Sequence, residues 1–239
     1  MNRLFSQMLN SVTCGDCIDV MAHLPGSCVD FVLTDPPYLV RYRDRSGRRI
    51  ANDDNDAWLK PAFAQIHRVL KPDTLCVSFY GWNKIDLFMA AWRQAGFQPV
   101  GQIIFRKSYG SSCRYLSYRH EGAYLLAKDF PPFPDRPPPD VIDWHYSGNK
   151  LHPTQKPVQS LKPLIAAFTQ PGGIVLDPFA GSGSTLIAAR ELGRQFIGIE
   201  LDPDHHRTAS NRLRSVHVFL KQSVHNIQMA NPDRNSRGP

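Results

Sequence analysis

Short apolar runs alternate with longer amphipathic stretches along this chain. Val29–Thr34 (VDFVLT) is a nearly continuous apolar run ending in a turn signal, the pattern of a strand buried on both faces. Leu75–Tyr80, Ile174–Leu176 and Gln195–Ile199 read as further buried strands, and Leu9–Cys14, Phe97–Phe105 and Gly122–Ala127 complete the set. Between them, apolar residues at helical spacing predict helices over Asp16–His23, Ala57–Leu70, Ile85–Ala95, Val158–Phe168, Ser184–Leu192 and Pro203–Leu213. In Ala57–Leu70 the apolar face is Phe63, Ile66 and Leu70; Lys71-Pro72-Asp73 breaks that helix, and Gly96 stops Ile85–Ala95. Strands and helices in this alternation predict a parallel sheet covered on both faces.

Three stretches fall outside the pattern. Leu39–Asp56 is too hydrophilic for core. Phe130–Pro139 (FPPFPDRPPP) is dense in proline, which excludes a helix or a central strand and predicts a stiff connector. The tail beyond about Val216 has little to bury and is expected to be disordered.

Composition narrows the class. The chain has 239 residues, of which 42% are hydrophobic and 21% charged, enough for one large buried α/β core. No run is long enough for a transmembrane helix, and Met1 to Ser11 lack the layout of a signal peptide, so a soluble cytoplasmic protein is expected. The formal charge of +7 suits a polyanionic partner. The five cysteines are odd in number and scattered, which is no disulfide framework. Cys14 and Cys17 form a CxxC, but no second such pair and no His-x-His completes a metal site, so no metal is expected.

The chemistry gathers in two turns, each directly after a buried strand, where open α/β sheets bind ligands. The first is Asp35-Pro36-Pro37-Tyr38. Two prolines fix their φ angles and donate nothing, Asp35 supplies an acceptor, and Tyr38 a flat ring with a polar tip. Together they suit a planar amine. The second is Asp177-Pro178-Phe179-Ala180-Gly181-Ser182-Gly183-Ser184-Thr185. Gly181 and Gly183 permit a tight turn and close backbone approach, and the helix that follows offers free N–H groups to an anion. No Gly-Lys-Ser/Thr follows, so it is not a P-loop. About 20 residues on, the next strand ends in Glu200, placed to accept both hydrogen bonds of a ribose diol.

Asp35-Pro36-Pro37-Tyr38 resembles the catalytic tetrapeptide of amino-methylating DNA methyltransferases, and Phe179-Ala180-Gly181-Ser182-Gly183 their S-adenosylmethionine loop. The catalytic turn comes first, the circularly permuted order of the family's beta group. The resemblance runs from about Thr13 to Arg214. It implies a Rossmann-like α/β fold with a seven-stranded mixed sheet, one strand antiparallel, helices on both faces, and Leu9–Cys14 supplying the strand missing after Pro203–Leu213. It also implies a methyltransferase domain over 1–214 with a small recognition insertion at about 106–150, leaving 215–239 as the tail. Gly15-Asp16-Cys17 resembles the turn whose acid contacts the cofactor adenine, and His152-Pro153-Thr154-Gln155-Lys156-Pro157 the segment beside the cofactor's methionine end. The expected cofactor set is therefore Asp16, Cys17, Asp35, Thr154, Lys156, Asp177 to Ser184, Glu200 and Leu201. His120-Glu121 with Lys128 resembles the late strand of the catalytic half.

The resemblance implies methyl transfer from S-adenosylmethionine to the N6 amine of adenine in double-stranded DNA. Cytosine N4 is the alternative, although cytosine-directed members more often carry Ser where this chain has Asp35. A non-catalytic DNA-binding module is a further reading. Arg41, Arg43, Arg45, Arg48 and Arg49, crowding the loop after Tyr38, together with Lys107 and Arg114, are the expected DNA contacts. A homodimer is expected from the beta group alone.

Overall fold

The structure is a computed structural model and describes residues 3–42, 47, 50–110, 115–145 and 155–215. Eight strands form one sheet: β1 (Ser11–Cys14), β2 (Val29–Thr34), β3 (Leu70–Phe79), β4 (Gln98–Arg106), β5 (His120–Lys128), β6 (Val141–Asp143), β7 (Ile174–Asp177) and β8 (Gln195–Glu200). Their order is β1-β8-β7-β2-β3-β5-β4-β6. Only β5 runs against the others, pairing antiparallel with both β3 and β4. The expected single antiparallel strand is present; the strand count is eight rather than seven. The extra strand, three-residue β6, follows the proline connector and pairs parallel with the end of β4, a partner that no local pattern reveals.

The described helices are α1 (Arg3–Met8), α2 (Cys17–Ala22), α3 (Leu59–Val69), α4 (Ile85–Ala95), α5 (Val158–Phe168), α6 (Ser184–Glu191) and α7 over 203–215. Alternation within β2 sorts them into two layers. Val32 joins a core with Phe5, Met21, Phe63, Phe88 and Trp92 from α1 to α4. Phe31 and Leu33 join the opposite core with Leu164, Ile165, Leu186 and Leu213 from α5 to α7. A β2 buried on both sides follows, as its sequence predicts.

Three details differ from expectation. Lys71-Pro72-Asp73 ends α3 but lies inside β3, which starts at Leu70; Pro72 and Asp73 are exposed at the strand's outer end. Lys128 Nζ donates to the carbonyls of His67 (2.7 Å) and Leu70 (2.6 Å), so this late-strand lysine serves the C-terminal end of α3. The stretch at 106–150 is not separate from the sheet, because it contributes β5 and β6. The tail from 216 lies outside the described residues.

β1 lies parallel to β8, Ser11 opposite Ile197 and Cys14 opposite Glu200. The chain's first strand thus covers the edge that its last strand would otherwise leave open, as the permuted order requires.

Candidate active site

β2 and β7 are neighbours, with Val32 opposite Leu176, so the turns that follow them leave the sheet side by side. Thr34 Oγ1 donates to Asp177 Oδ1 at 3.0 Å and ties the two strand ends together across 143 residues. One cavity is lined by both turns: Asp35 to Tyr38 on one wall, Asp177 to Ser182 with Ser184 and Thr185 on another, and Asp16, Cys17, Glu200 and Leu201 beside them. Two distant motifs therefore share one site.

The glycine turn is held from three directions. Glu200 accepts from Gly181 N (2.7 Å) and Asp202 N (2.8 Å) and so braces the turn; each carboxylate oxygen keeps a second lone pair. Arg212 of α7 reaches back to the Ser182 carbonyl (2.6 Å) and hydroxyl (3.0 Å). Gly183 has φ +81° and precedes α6, and a Cβ there would lie 3.2 Å from Ala209, so backbone and packing both favour glycine. Asp177 is buried, accepting from Thr34 and from Phe179 N (3.2 Å), and burial pushes its carboxyl up to about 7. Its position is that of a tie between the turns.

Asp16 caps α2 by accepting from Ile18 N at 2.8 Å, which leaves it at the cavity edge. Cys17 lines the same edge; burial pushes its thiol up to about 12, so it stays protonated at neutral pH, unlike a thiolate ligand or nucleophile. No group of His, Cys, Asp and Glu among the described residues could hold a metal ion.

The Asp-Pro-Pro-Tyr turn is oriented by its own side chains and by Lys156. Tyr38 Oη donates to Asp35 Oδ1 at 2.8 Å, and Lys156 Nζ lies 2.6 Å from Asp35 Oδ2. Lys156 also pairs with Glu121 (3.0 Å), and Glu121 with Lys107 (2.6 Å), a chain of alternating charge running inward. Burial pushes the Asp35 carboxyl up from its usual range, against the pull of Lys156. Burial would push Glu121 up as well, but Lys156 and Lys107 together bring it below the usual range.

Several expected residues fall elsewhere. Lys107, expected at a DNA phosphate, has a side chain only 7% exposed and committed to Glu121, which does not suit a backbone clamp. Arg41 is exposed just beyond the Asp-Pro-Pro-Tyr turn. Thr154, Arg43, Arg45, Arg48, Arg49 and Arg114 lie outside the described residues.

Other site residues were missed in the sequence. A Cβ at Gly81, two residues beyond β3, would lie 2.4 Å from the Tyr38 carbonyl, so a glycine stands there because the Asp-Pro-Pro-Tyr turn packs against it. Asp53, buried in a loop that reads as wholly polar, accepts from Val40 N (3.2 Å) and Tyr42 N (2.6 Å) and folds that loop against the cavity. Trp58 lines the cavity and meets Phe179 edge-on at 5.1 Å. Hydrophobic periodicity carries no trace of these contacts; only the unexplained Gly81 after a buried strand was a usable signal.

A cavity lined by carboxylates, aromatic rings and a glycine turn at a helix start, with a buried Gln155 Oε1 without a partner among the described residues, fits a ligand with hydroxyls, a flat base and a cationic group. S-adenosylmethionine has all three.

The comparisons agree. Residues 29–211 match the family model described as a DNA methylase of the N6/N4 type. The chain is 57% identical over 219 residues to YubD of Escherichia coli (strain K12), spanning 92% of this chain and 96% of that one. It is 31% identical over 238 residues to the Type II methyltransferase M2.LlaDCHI of Lactococcus lactis subsp. cremoris, spanning 83% and 87%. Among solved structures, M1.HpyAVI in complex with SAM superposes with a TM-score of 0.69 at 25% identity, over 85% of this chain and 98% of that one. The cytosine-N4-specific PvuII DNA methyltransferase also reaches 0.69, at 17% identity, over 86% and 90%, which speaks to the fold alone. With both motifs in one cavity and these matches over most of its length, the chain belongs to the N6/N4 family of DNA methyltransferases, which take their methyl group from S-adenosylmethionine.

Proposed function

We propose that the protein methylates the N6 amine of adenine in double-stranded DNA. The observation that carries this reading is the Asp35 carboxylate, held by Tyr38 and Lys156 at a cavity shared with the glycine turn. An exocyclic amine is a weak nucleophile because its lone pair is delocalised into the ring. Hydrogen bonds from its N–H groups to Asp35 and to the Pro36 carbonyl return that lone pair to nitrogen. A carboxylate is the stronger acceptor for this than the serine of many cytosine-directed relatives. The cofactor supplies an electrophilic methyl on a sulfonium; the chain's own part is positioning and electrostatic preorganisation.

Glu200 is the ribose acceptor in this reading, Asp16 meets the cofactor adenine, and the Gly181–Ser184 turn with Gln155 meets the methionine end. Pro37 stiffens the catalytic turn, and the Tyr38 ring stacks the flipped base, worth ~1–3 kcal/mol against a flipping cost of a few kcal/mol. Arg41, with Arg43, Arg45, Arg48, Arg49 and Arg114, supplies cations for the DNA backbone. Trp82, 67% exposed next to Gly81 and stacked on Tyr118 at 6.0 Å, offers a further aromatic surface to a base.

The test is incubation of the protein with unmethylated DNA and methyl-labelled S-adenosylmethionine, followed by nucleoside analysis. Labelled N6-methyladenine is expected; label in N4-methylcytosine, or none, ends the adenine reading.

A further inference from the structure

Lys156 stands in a segment expected to touch the cofactor, yet its contacts lead elsewhere. Its Nζ lies 2.6 Å from Asp35 Oδ2, 3.0 Å from Glu121 Oε2 and 3.2 Å from Tyr38 Oη. An ammonium has three N–H donors, and three oxygens take them, leaving none for a cofactor carboxylate. The rings of Phe79 and Tyr38 enclose the cation at 4.7 and 5.4 Å, and the side chain is only 6% exposed. Glu121 is in turn clamped by Lys107, 2.6 Å from Oε1, whose cation lies 4.8 Å from the Trp144 ring centre. Asp35, Lys156, Glu121 and Lys107 thus form a set of two negative and two positive groups from four separate parts of the chain.

We propose that Lys156 is a positioning residue for methyl transfer. It acts through Asp35, keeping that carboxylate ionised and aimed while the target amine donates to it, and Glu121 with Lys107 holds Lys156 in place. The proposal rests on the reading that Asp35 engages an exocyclic amine, but it does not depend on which base carries the amine.

The physical need is clear. Asp35 must accept hydrogen bonds, and a protonated carboxyl would offer a donor where the amine also offers donors. Burial favours that protonated form, and so does the negative charge of Glu121 nearby. Tyr38 Oη supplies one hydrogen bond to the ionised form but no charge. Lys156 is the only full positive charge in contact with Asp35 among the described residues, and Lys107 is one step removed behind Glu121. The carboxylate oxygens not spent on Tyr38 and Lys156 still have lone pairs for the amine.

The test compares Lys156→Met, Lys156→Arg and Glu121→Gln in the full-length protein with two readouts. One is the carboxyl titration of Asp35 by carbon-13 NMR without cofactor, assigned with Asp35→Asn. The other is the pH profile of kcat/KM, with S-adenosylmethionine affinity measured separately by calorimetry. Lys156→Met should move the Asp35 titration and the acid limb of the profile upward by ~1 unit or more, with lost rate partly recovered at alkaline pH. Its cofactor affinity should stay within ~3-fold, and Lys156→Arg should restore the limb toward that of the parent. Glu121→Gln removes a negative neighbour, so its limb should not move upward. An unmoved Asp35 titration in Lys156→Met overturns the proposal, as does loss of cofactor affinity with an unshifted limb. If Lys156→Met does not fold, Lys156→Gln takes its place, and an unmoved Asp35 titration there does the same. Cytosine as the labelled product would end the adenine reading and leave this one intact.

Discussion

Asp35 and Tyr38 work as one unit at the scale of single residues. The sequence suggests an acceptor and a stacking ring; the fold adds that the phenol of one orients the carboxylate of the other. Asp35→Ala should therefore reduce methylation by ~10²-fold or more, in line with removal of a preorganised transition-state contact, with cofactor binding by calorimetry still measurable. Near-parent turnover in that variant would remove Asp35 from the chemistry. Tyr38→Phe keeps the ring and loses only the orienting bond, so a fall of ~10-fold in kcat is expected, and Tyr38→Ala should fall further because the stack goes too. Equal rates for the two variants would mean that the ring contributes nothing. Asp35, Tyr38 and the glycine turn were legible because each sits next to its strand. Lys156 was legible only as part of a resembling segment, and its partner Asp35 lies 121 residues away.

The elements matter through their ends. β2 and β7 place their following turns side by side, Gly81 just beyond β3 packs against Tyr38, and the loop before α3 is folded inward by Asp53. Gly81→Ala should displace the Tyr38 carbonyl, which a Cβ would approach to 2.4 Å. Since a displacement of about 1 Å at reacting groups costs ~10²-fold, kcat should drop by ~10–100-fold with cofactor affinity little changed. A variant as fast as the parent would show that the turn can shift without consequence. The ends of α4 and α5 follow the sequence to the residue, because each has a clear apolar stripe, and Gly96 marks where α4 stops. β6 and α1 were not read, being three and six residues long, too short for a period to show.

At the scale of the whole molecule, charge and pH become the relevant variables. The formal charge of +7 favours DNA as a polyanion, and five arginines, Arg41, Arg43, Arg45, Arg48 and Arg49, follow Tyr38 in the sequence. Replacing Arg48 and Arg49 together with alanine should make the slope of log K against log salt shallower by up to ~2, read from DNA binding across a salt series; an unaltered slope would remove both from the interface. Stability should carry the signature of Asp177. Its carboxyl sits at about 7 in the folded protein because of burial, against a usual value near 3.9 in an unfolded chain. The folded state thus holds a proton that the unfolded state has released. The stability from this group is complete below about pH 4 and is lost as pH rises toward 7, at ~1.4 kcal/mol per pH unit at most. Asp177→Asn cannot ionise, so thermal melts should show it gaining on the parent by several degrees between pH 5 and 8. A constant difference across that range would mean that Asp177 is ionised throughout.

By itself, the amino-acid sequence determined the alternation of strands and helices, their order along the chain and the two turns at strand ends, while the single antiparallel strand came from the family resemblance. The former are written in local periodicity and in residues adjacent to strand ends. Tertiary structure decided that Lys107 points inward rather than at DNA, that Lys156 belongs to Asp35 and Glu121, that Glu200 and Arg212 brace the glycine turn, and that Gly81 carries Tyr38. The reason is physical: a buried charge is tolerated only beside its partner, and a glycine is required only where another backbone comes close. Those neighbours are set by the order of strands in the sheet, not by distance along the chain.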